Sequence, residues 1–429
     1  MNNKTNKSPW TWIPSLYFAE GLPYVVVATA FSTTMYKRLG ISNTDITFFT
    51  SLLYLPWVIK PFWSPFIDII KTKRWWIITM QLLISAGLTA VAFLIPMPFF
   101  FKATLAILWM IGFSSATHDI AADGFYMLAL DSSKQSFFVG IRSTFYKLAM
   151  LSGQGLFVII AGFLEQYTGK IRLAWSVTFF ILAALFFLFF IYHRFILPRP
   201  ESDTTKTETS SKEIFREFGL TFGSFFRKKG IVLAITFMLL YRLGEAMLVK
   251  MASPFLLDPR SVGGLGLSTE QQGLVYGTVG VIALIIGGIV GGIAASHKGL
   301  KYWIWPMALS ITLPHLAYVY LSWTVPTDFI LINIAVAVEQ FGYGFGFTAY
   351  MLYLIYFADG EHKTAHYAMC TGFMALGMML PGMIAGKLQD MFGYQHFFVW
   401  IMIMAIPTLA VIPFLKIDKE FGKKKNEPI

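Results

Sequence analysis

Along the chain, long apolar runs alternate with short polar connections. Twelve runs, near 13–36, 44–67, 75–96, 100–130, 136–164, 171–197, 231–255, 269–295, 302–322, 327–358, 364–388 and 394–415, reach the roughly 20 residues that a helix needs to cross hydrocarbon. Inside a bilayer every backbone polar group must be satisfied internally, so the runs are expected as helices of an all-α integral membrane protein. The longest polar connection, 198–230, opens with Pro198-Arg199-Pro200-Glu201-Ser202-Asp203 and leaves six runs on either side. The expected organisation is an N-terminal six-helix bundle over 1–197, a cytoplasmic linker over 198–230, a C-terminal six-helix bundle over 231–415 and a cytoplasmic tail over 416–429.

The two halves echo each other at a nearly constant offset, the sign of a duplicated unit. Ala161-Gly162-Phe163-Leu164-Glu165-Gln166-Tyr167-Thr168-Gly169 answers Ala385-Gly386-Lys387-Leu388-Gln389-Asp390-Met391-Phe392-Gly393. Asp131 answers Asp359, and Glu20 answers Glu245.

Composition narrows the class. Of 429 residues 56% are hydrophobic and 13% charged, against about 25% charged in a soluble domain. The net charge of +11 is not a nucleic-acid signature, because lysine and arginine gather at the termini and the even-numbered connections. That bias puts both termini in the cytoplasm. Basic runs such as Arg227-Lys228-Lys229 and Lys423-Lys424-Lys425 would lie against anionic lipid head groups. The segment Met1 to Pro9 leads into a span too long for a signal-peptide core, so an uncleaved first span is expected. The single Cys370 excludes an intramolecular disulfide and a cysteine-based metal site.

The polar exceptions carry the functional information. Glu20, Asp119, Asp123, Glu245 and Glu339 lie inside spans, as do Lys60, Arg142, Lys147, Arg242 and Lys250. An ionised side chain at the bilayer centre costs roughly 2.5 to 3.5 kcal/mol on insertion scales, so equal numbers of each sign suggest pairing around a wet interior. Asp119 and Asp123 are one helical turn apart and share a face. The charges fall in spans 1, 2, 4, 5, 7 and 10, and the interiors of spans 3, 6, 9 and 12 hold none.

Each exception also has a structural reading. Arg242 and Glu245 are spaced for an intrahelical pair as well as for substrate contact. Lys60, before Pro61-Phe62-Trp63, suits a snorkelling lysine. Glu20 precedes Gly21-Leu22-Pro23, where proline frees backbone carbonyls for a proton or substrate site. His315 and His366 read as packing or interfacial residues, and His118 need not meet its neighbour Asp119 because adjacent side chains diverge on a helix. Span ten carries Gly342-x-Gly344-x-Gly346 with Tyr343, Tyr350, Tyr353 and Tyr356; the glycines suit close helix packing, and the tyrosines either pack or stack on sugar rings. No His-Glu-x-x-His site, phosphate loop or nucleophile elbow is present, so neither a resident metal nor ATP-driven transport is expected.

Two resemblances follow. Ser64-Pro65-Phe66-Ile67-Asp68-Ile69-Ile70-Lys71-Thr72-Lys73-Arg74 is similar to the cytoplasmic signature of the major facilitator superfamily, and Gly292-Ile293-Ala294-Ala295-Ser296-His297-Lys298-Gly299 is its degraded counterpart. Superfamily transporters line a central cavity with spans 1, 4, 7 and 10, flanked by 2, 5, 8 and 11, which agrees with the charge distribution. More narrowly, Gly21-Leu22-Pro23, Lys60-Pro61-Phe62-Trp63-Ser64-Pro65-x-x-Asp68, Ser115-Ala116-Thr117-His118-Asp119-Ile120-x-x-Asp123, Tyr146-Lys147-Leu148-Ala149-Met150-Leu151 and Tyr241-Arg242-Leu243-Gly244-Glu245-Ala246-Met247 together resemble the AmpG-type muropeptide permeases.

That resemblance implies proton-coupled import of anhydro-muropeptides across the bacterial inner membrane by alternating access, with no cofactor beyond the proton gradient. Lys60, Asp119, Asp123, Lys147, Arg242 and Glu245 match polar positions of the family blocks, whereas His118 stands where glutamine is common and Lys147 where arginine is common. Glu20, Asp119 and Asp123 are the expected proton-coupling residues. Lys60, His118, Arg142, Lys147, Arg242, Glu245, Glu339, Tyr343 and Tyr350 are the expected substrate contacts. The expected partners are a small-molecule substrate, protons and lipids, with the chain a monomer. The rival readings are a carrier of another sugar or organic anion, including acyl-coenzyme A, a receptor for cell-wall fragments, and a membrane transferase using His118 and Asp119.

Overall fold

The computed structural model describes residues 7–201, 203, 211–360 and 362–423. Part of the 198–230 connection, the ends of both termini, including Lys424 and Lys425, and the side chain of Asp68 lie outside what is described. Among the described residues the chain is helical throughout, without a strand.

Among the described residues nine helices are long and apolar enough to cross a membrane, ten when the bent pair Pro9–Ala28 and Ala30–Arg38 counts as one span. The difference from the twelve expected spans has local causes. The second run is interrupted at Leu53 and Tyr54, which separate Asn43–Leu52 from Leu55–Ile70. The eleventh and twelfth run together in Lys363–Ile403, broken only where Gly393 leaves the helical conformation at φ 70, ψ 167. Gly169, the matching residue of the first half, ends Phe157–Thr168 at φ 66. Both points need a positive φ, which glycine adopts without a Cβ penalty, so the sequence repeat corresponds to a repeated helix break. In the first helix Pro23 is carried within Ile13–Ala28, and the 42° bend follows at Thr29 instead.

The chain forms two compact units. The first comprises residues 1–40 and 59–219, the second 41–58 and 220–429. Residues 41–58, expected in the N-terminal half, thus cluster with the second unit. The reason is side-chain and backbone fit: Asn43–Leu52 packs along Lys363–Ile403, where the Gly386 N–H donates to Thr47 Oγ1 at 2.9 Å and Asn43 Nδ2 donates to Gln389 Oε1 at 2.8 Å. A Cβ on Gly386 would stand 2.2 Å from the Asn43 carbonyl oxygen.

Within the first unit, Ile13–Ala28 packs against Phe100–Ala129 and Ser132–Leu151, and Lys73–Leu94 lies between Phe100–Ala129 and Ile171–Ile196. Trp12, Leu16, Tyr17, Ala121, Ala122 and Phe125 form one buried cluster there. Within the second, Phe329–Ala358 is held by two neighbours at once. Gly342 and Gly346 approach the Ser310 and Met307 carbonyls of Leu300–Thr312, while Gly344 approaches the Leu284 carbonyl of Val281–Lys298. The alternating glycines therefore open two faces of one helix to close backbone contact, the packing role expected for the run.

A Cβ on Gly344 would lie 2.0 Å from the Leu284 oxygen, whereas Gly292, on the same neighbouring helix, has nothing within 4 Å. Gly344→Val should therefore destabilise the purified protein by about 1–3 kcal/mol or more, as overpacking does, and Gly292→Ala should be close to neutral. Thermal unfolding in detergent, followed by size-exclusion fluorescence, measures both; equal midpoints for the two variants would refute the close-packing account.

Candidate functional site

Polar side chains gather at one place in each unit. In the first, Asp119 and Asp123 project from one face of Phe100–Ala129, and each meets a base from a different helix. Lys60 Nζ, on Leu55–Ile70, stands 3.5 Å from Asp119 Oδ2, the side chains being 29% and 13% exposed. Arg142 Nη2, on Ser132–Leu151, stands 3.1 Å from Asp123 Oδ1, at 29% and 42% exposure. Tyr17 joins the second pair, donating to Asp123 Oδ1 at 3.2 Å and accepting from Arg142 Nη1 at 3.0 Å. The guanidinium also lies over the rings of Tyr17 and Tyr126, 4.6 and 5.0 Å from their centroids. A guanidinium held by one carboxylate and two aromatic faces is fixed in direction yet keeps donors for an incoming anion.

Glu20 lies within electrostatic reach of Asp119, Asp123, Lys60 and Arg142. It is buried, and its Oε2 has no hydrogen-bond partner among the described residues. Gly21 allows its helix to approach: a Cβ there would meet the Tyr146 carbonyl at 3.0 Å. Lys147, one residue further, is half-buried and has no ion pair among the described residues.

His118 is turned away from this group. Its Nε2 lies 3.0 Å from Gln81 Nε2, Gln81 Oε1 lies 3.0 Å from His193 Nδ1, and His193 Nε2 lies 2.9 Å from Ser15 Oγ. Gln81 bridges the two imidazoles, its amide nitrogen facing His118 and its amide oxygen facing His193. His118, expected beside the substrate, is thus a buried member of a chain linking four helices. Neither Gln81 nor His193 stands out by formal charge in the sequence, and both sit in spans whose interiors hold no Asp, Glu, Lys or Arg.

In the second unit, Arg242 marks the junction between Ile231–Leu240 and Leu243–Leu257. It donates to the Tyr343 hydroxyl and lies over the rings of Tyr343 and Phe347, at 5.0 and 4.8 Å. Glu245 meets His315 instead, with Oε2 3.0 Å from Nε2. His315, read from sequence as packing, is therefore a polar partner. Glu339 completes the group and accepts from Gln340 Nε2 at 3.0 Å. Glu245, His315 and Glu339 are the group among the described residues whose donor atoms come close enough to hold a metal ion. Tyr350, expected to contact substrate, lies in the core: its hydroxyl donates to the Met238 carbonyl at 2.6 Å and its ring stacks on Tyr241. Lys250 is buried, donates to Thr50 Oγ1 at 3.2 Å and lies over Tyr54.

Charges fixed by helices inside a polytopic apolar protein are the apparatus of a carrier. Residues 15–368 match the model of the Major Facilitator Superfamily. The chain belongs to the major facilitator superfamily. It is a multi-pass membrane transporter and not an enzyme.

Relatives of this superfamily protein span nearly its whole length. A Rickettsia conorii protein that bears the name transporter AmpG 4 is 27% identical over 415 residues, covering 93% of this chain and 94% of its own. The anhydromuropeptide permease of Escherichia coli K12 is 26% identical over 407 residues, covering 92% and 77%. Among solved structures, the nucleoside transporter NupG superposes with a TM-score of 0.67 at 15% identity, covering 93% of this chain and 98% of its own. A D-xylose–proton symporter does so at 0.68 and 12%, covering 94% and 96%.

The Lys60–Asp119 contact can be tested without a substrate. Lys60→Met and Asp119→Asn should each lower the unfolding midpoint, while the double variant should recover part of the loss, leaving a coupling energy of about 0.5–3 kcal/mol. A double-mutant cycle by thermal unfolding reads it; strictly additive losses would separate the two residues.

Proposed function

We propose that this transporter imports anhydro-muropeptides, or closely related amino-sugar peptides, by proton-coupled alternating access. In this reading it works as a monomer in a bacterial inner membrane with both termini in the cytoplasm. The observation that carries the reading is the Arg142 constellation: a guanidinium fixed by Asp123, faced by Tyr17 and Tyr126, and still 29% exposed. Anhydro-muropeptides carry lactyl or peptide carboxylates beside sugar rings. A partly desolvated guanidinium takes the carboxylate by charge-assisted hydrogen bonds, and the aromatic faces suit the ring.

Two relatives bearing muropeptide-permease or AmpG names over most of the chain support the same substrate class. Arg242, with Tyr343 and Phe347, offers a second guanidinium–aromatic arrangement in the other unit, and Lys60 and Lys147 supply further positive charge.

Proton coupling falls to the carboxylates of the first unit. Asp119 faces Lys60, Asp123 faces Arg142, and Glu20 lies within reach of all four. A proton arriving on one carboxylate releases its base, and the base is then available to the substrate anion. Proton and substrate thereby favour the same rearrangement of ion pairs.

Uptake into proteoliposomes, with and without a protonophore, tests this. Anhydro-muropeptide should accumulate only while the proton gradient lasts, and free amino sugars or acyl-coenzyme A should not compete. Asp119→Asn should abolish accumulation against a gradient, and Arg142→Ala should reduce uptake at least tenfold. Accumulation by Asp119→Asn equal to that of the unaltered protein would remove Asp119 from coupling. Transport of acyl-coenzyme A in place of muropeptide would overturn the substrate assignment.

A further inference from the structure

The second unit holds a cluster that this transport reading leaves without a task. Glu245 lies in the first turn of Leu243–Leu257, His315 ends the short turn Leu313–His315, and Glu339 lies inside Phe329–Ala358. Their relative exposures are 1%, 2% and 1%, so no bulk water reaches them. One donor atom from each lies within 4.8 Å of the other two.

Hydrogen bonds satisfy only half of this group. Glu245 Oε2 meets His315 Nε2, and Glu339 Oε2 accepts from Gln340. Glu245 Oε1, Glu339 Oε1 and His315 Nδ1 are buried without a hydrogen-bond partner among the described residues, as is the hydroxyl of neighbouring Tyr318. Leaving a buried polar atom unmatched costs about 1–3 kcal/mol, and more for a charged one. Unmatched atoms on all three residues of one close group, two on helices and one on a short turn, call for a shared partner. Arg242, three residues before Glu245, directs its guanidinium to Tyr343.

We propose that Glu245, His315 and Glu339 form a binding site for one divalent transition-metal cation. One imidazole nitrogen and two carboxylate oxygens are a donor set for borderline ions of the zinc type. A doubly charged ion neutralises both glutamates at once. Ligand atoms around tetrahedral zinc stand about 3.3 Å apart, so binding would draw the three donors together from their present spacing. Gln340 orients Glu339 from behind, as outer hydrogen bonds do for metal-binding carboxylates. Three protein ligands leave a fourth position open, and the Tyr318 and Tyr276 hydroxyls lie within electrostatic reach of both glutamates.

The test uses the full-length protein in detergent, stripped with a chelator, loaded with Zn2+ and desalted. Elemental analysis should find one zinc per chain. Retention should fall at least tenfold in His315→Gln and in the Glu245→Gln, Glu339→Gln double variant, and should persist in His315→Cys, whose thiolate replaces the imidazole. X-ray absorption on the unaltered protein should show an oxygen and nitrogen shell containing one imidazole, a readout independent of whether any variant folds. No retained zinc would mean that protons alone neutralise the cluster and would overturn the proposal. Undiminished zinc in the double variant, or a shell lacking imidazole, would do the same.

Discussion

Charge in hydrocarbon has to be met by a partner on a neighbouring helix, and that requirement governs where the helices of this transporter come together. Asp119 and Asp123 share a face, but their bases arrive on separate helices, Lys60 from one and Arg142 from another. The pairs therefore act as crosslinks between spans and not as local caps. Their partial exposure sets their strength. A fully buried pair is strongly destabilised when one partner is removed, whereas an exposed pair contributes little. The pairs of the first unit lie between these limits, where an exchange of partners costs little enough for a carrier to use.

Much of this could be read from the chain because the bilayer restricts the alternatives. Apolar run length marked the helical segments though not their number, charge counting by span singled out the polar helices, and the glycine spacing of 342, 344 and 346 anticipated close packing. The failures have equally physical causes. Run length cannot show that one run is cut at Leu53 and Tyr54, since apolar residues occupy the break itself. Nor does it show that Pro23 stays inside its helix while the bend comes at Thr29. Counting formal charge passed over His315, Gln81 and His193, whose hydrogen bonds depend on which helix faces which. Tyr350 lies in the core and not at an exposed contact for a related reason: its hydroxyl finds a backbone carbonyl, and the sequence does not name that carbonyl.

The duplicated halves keep their helix breaks more faithfully than their chemistry. Gly169 and Gly393 hold corresponding places and both adopt positive φ. Glu165 and Gln389 also correspond, and both are buried polar anchors: Glu165 pairs with Arg38 at 2.8 Å and Gln389 accepts from Asn43. The scaffold positions thus retain a role although the charge has changed.

Glu20 and Glu245 show the opposite behaviour. Both stand in the first span of their half as the sequence divides it, yet Glu20 lies among carboxylates already matched by Lys60 and Arg142, whereas Glu245 meets an imidazole and a second glutamate. Histidine is the difference. In the first unit Asp119 and Asp123 each face a lysine or an arginine, a matched group that a proton or an anionic substrate can disturb. In the second, two carboxylates share one imidazole. The same residue type stands at matching positions of the two halves, and the neighbouring helices set its surroundings: two matched ion pairs near Glu20, an imidazole and a second carboxylate beside Glu245.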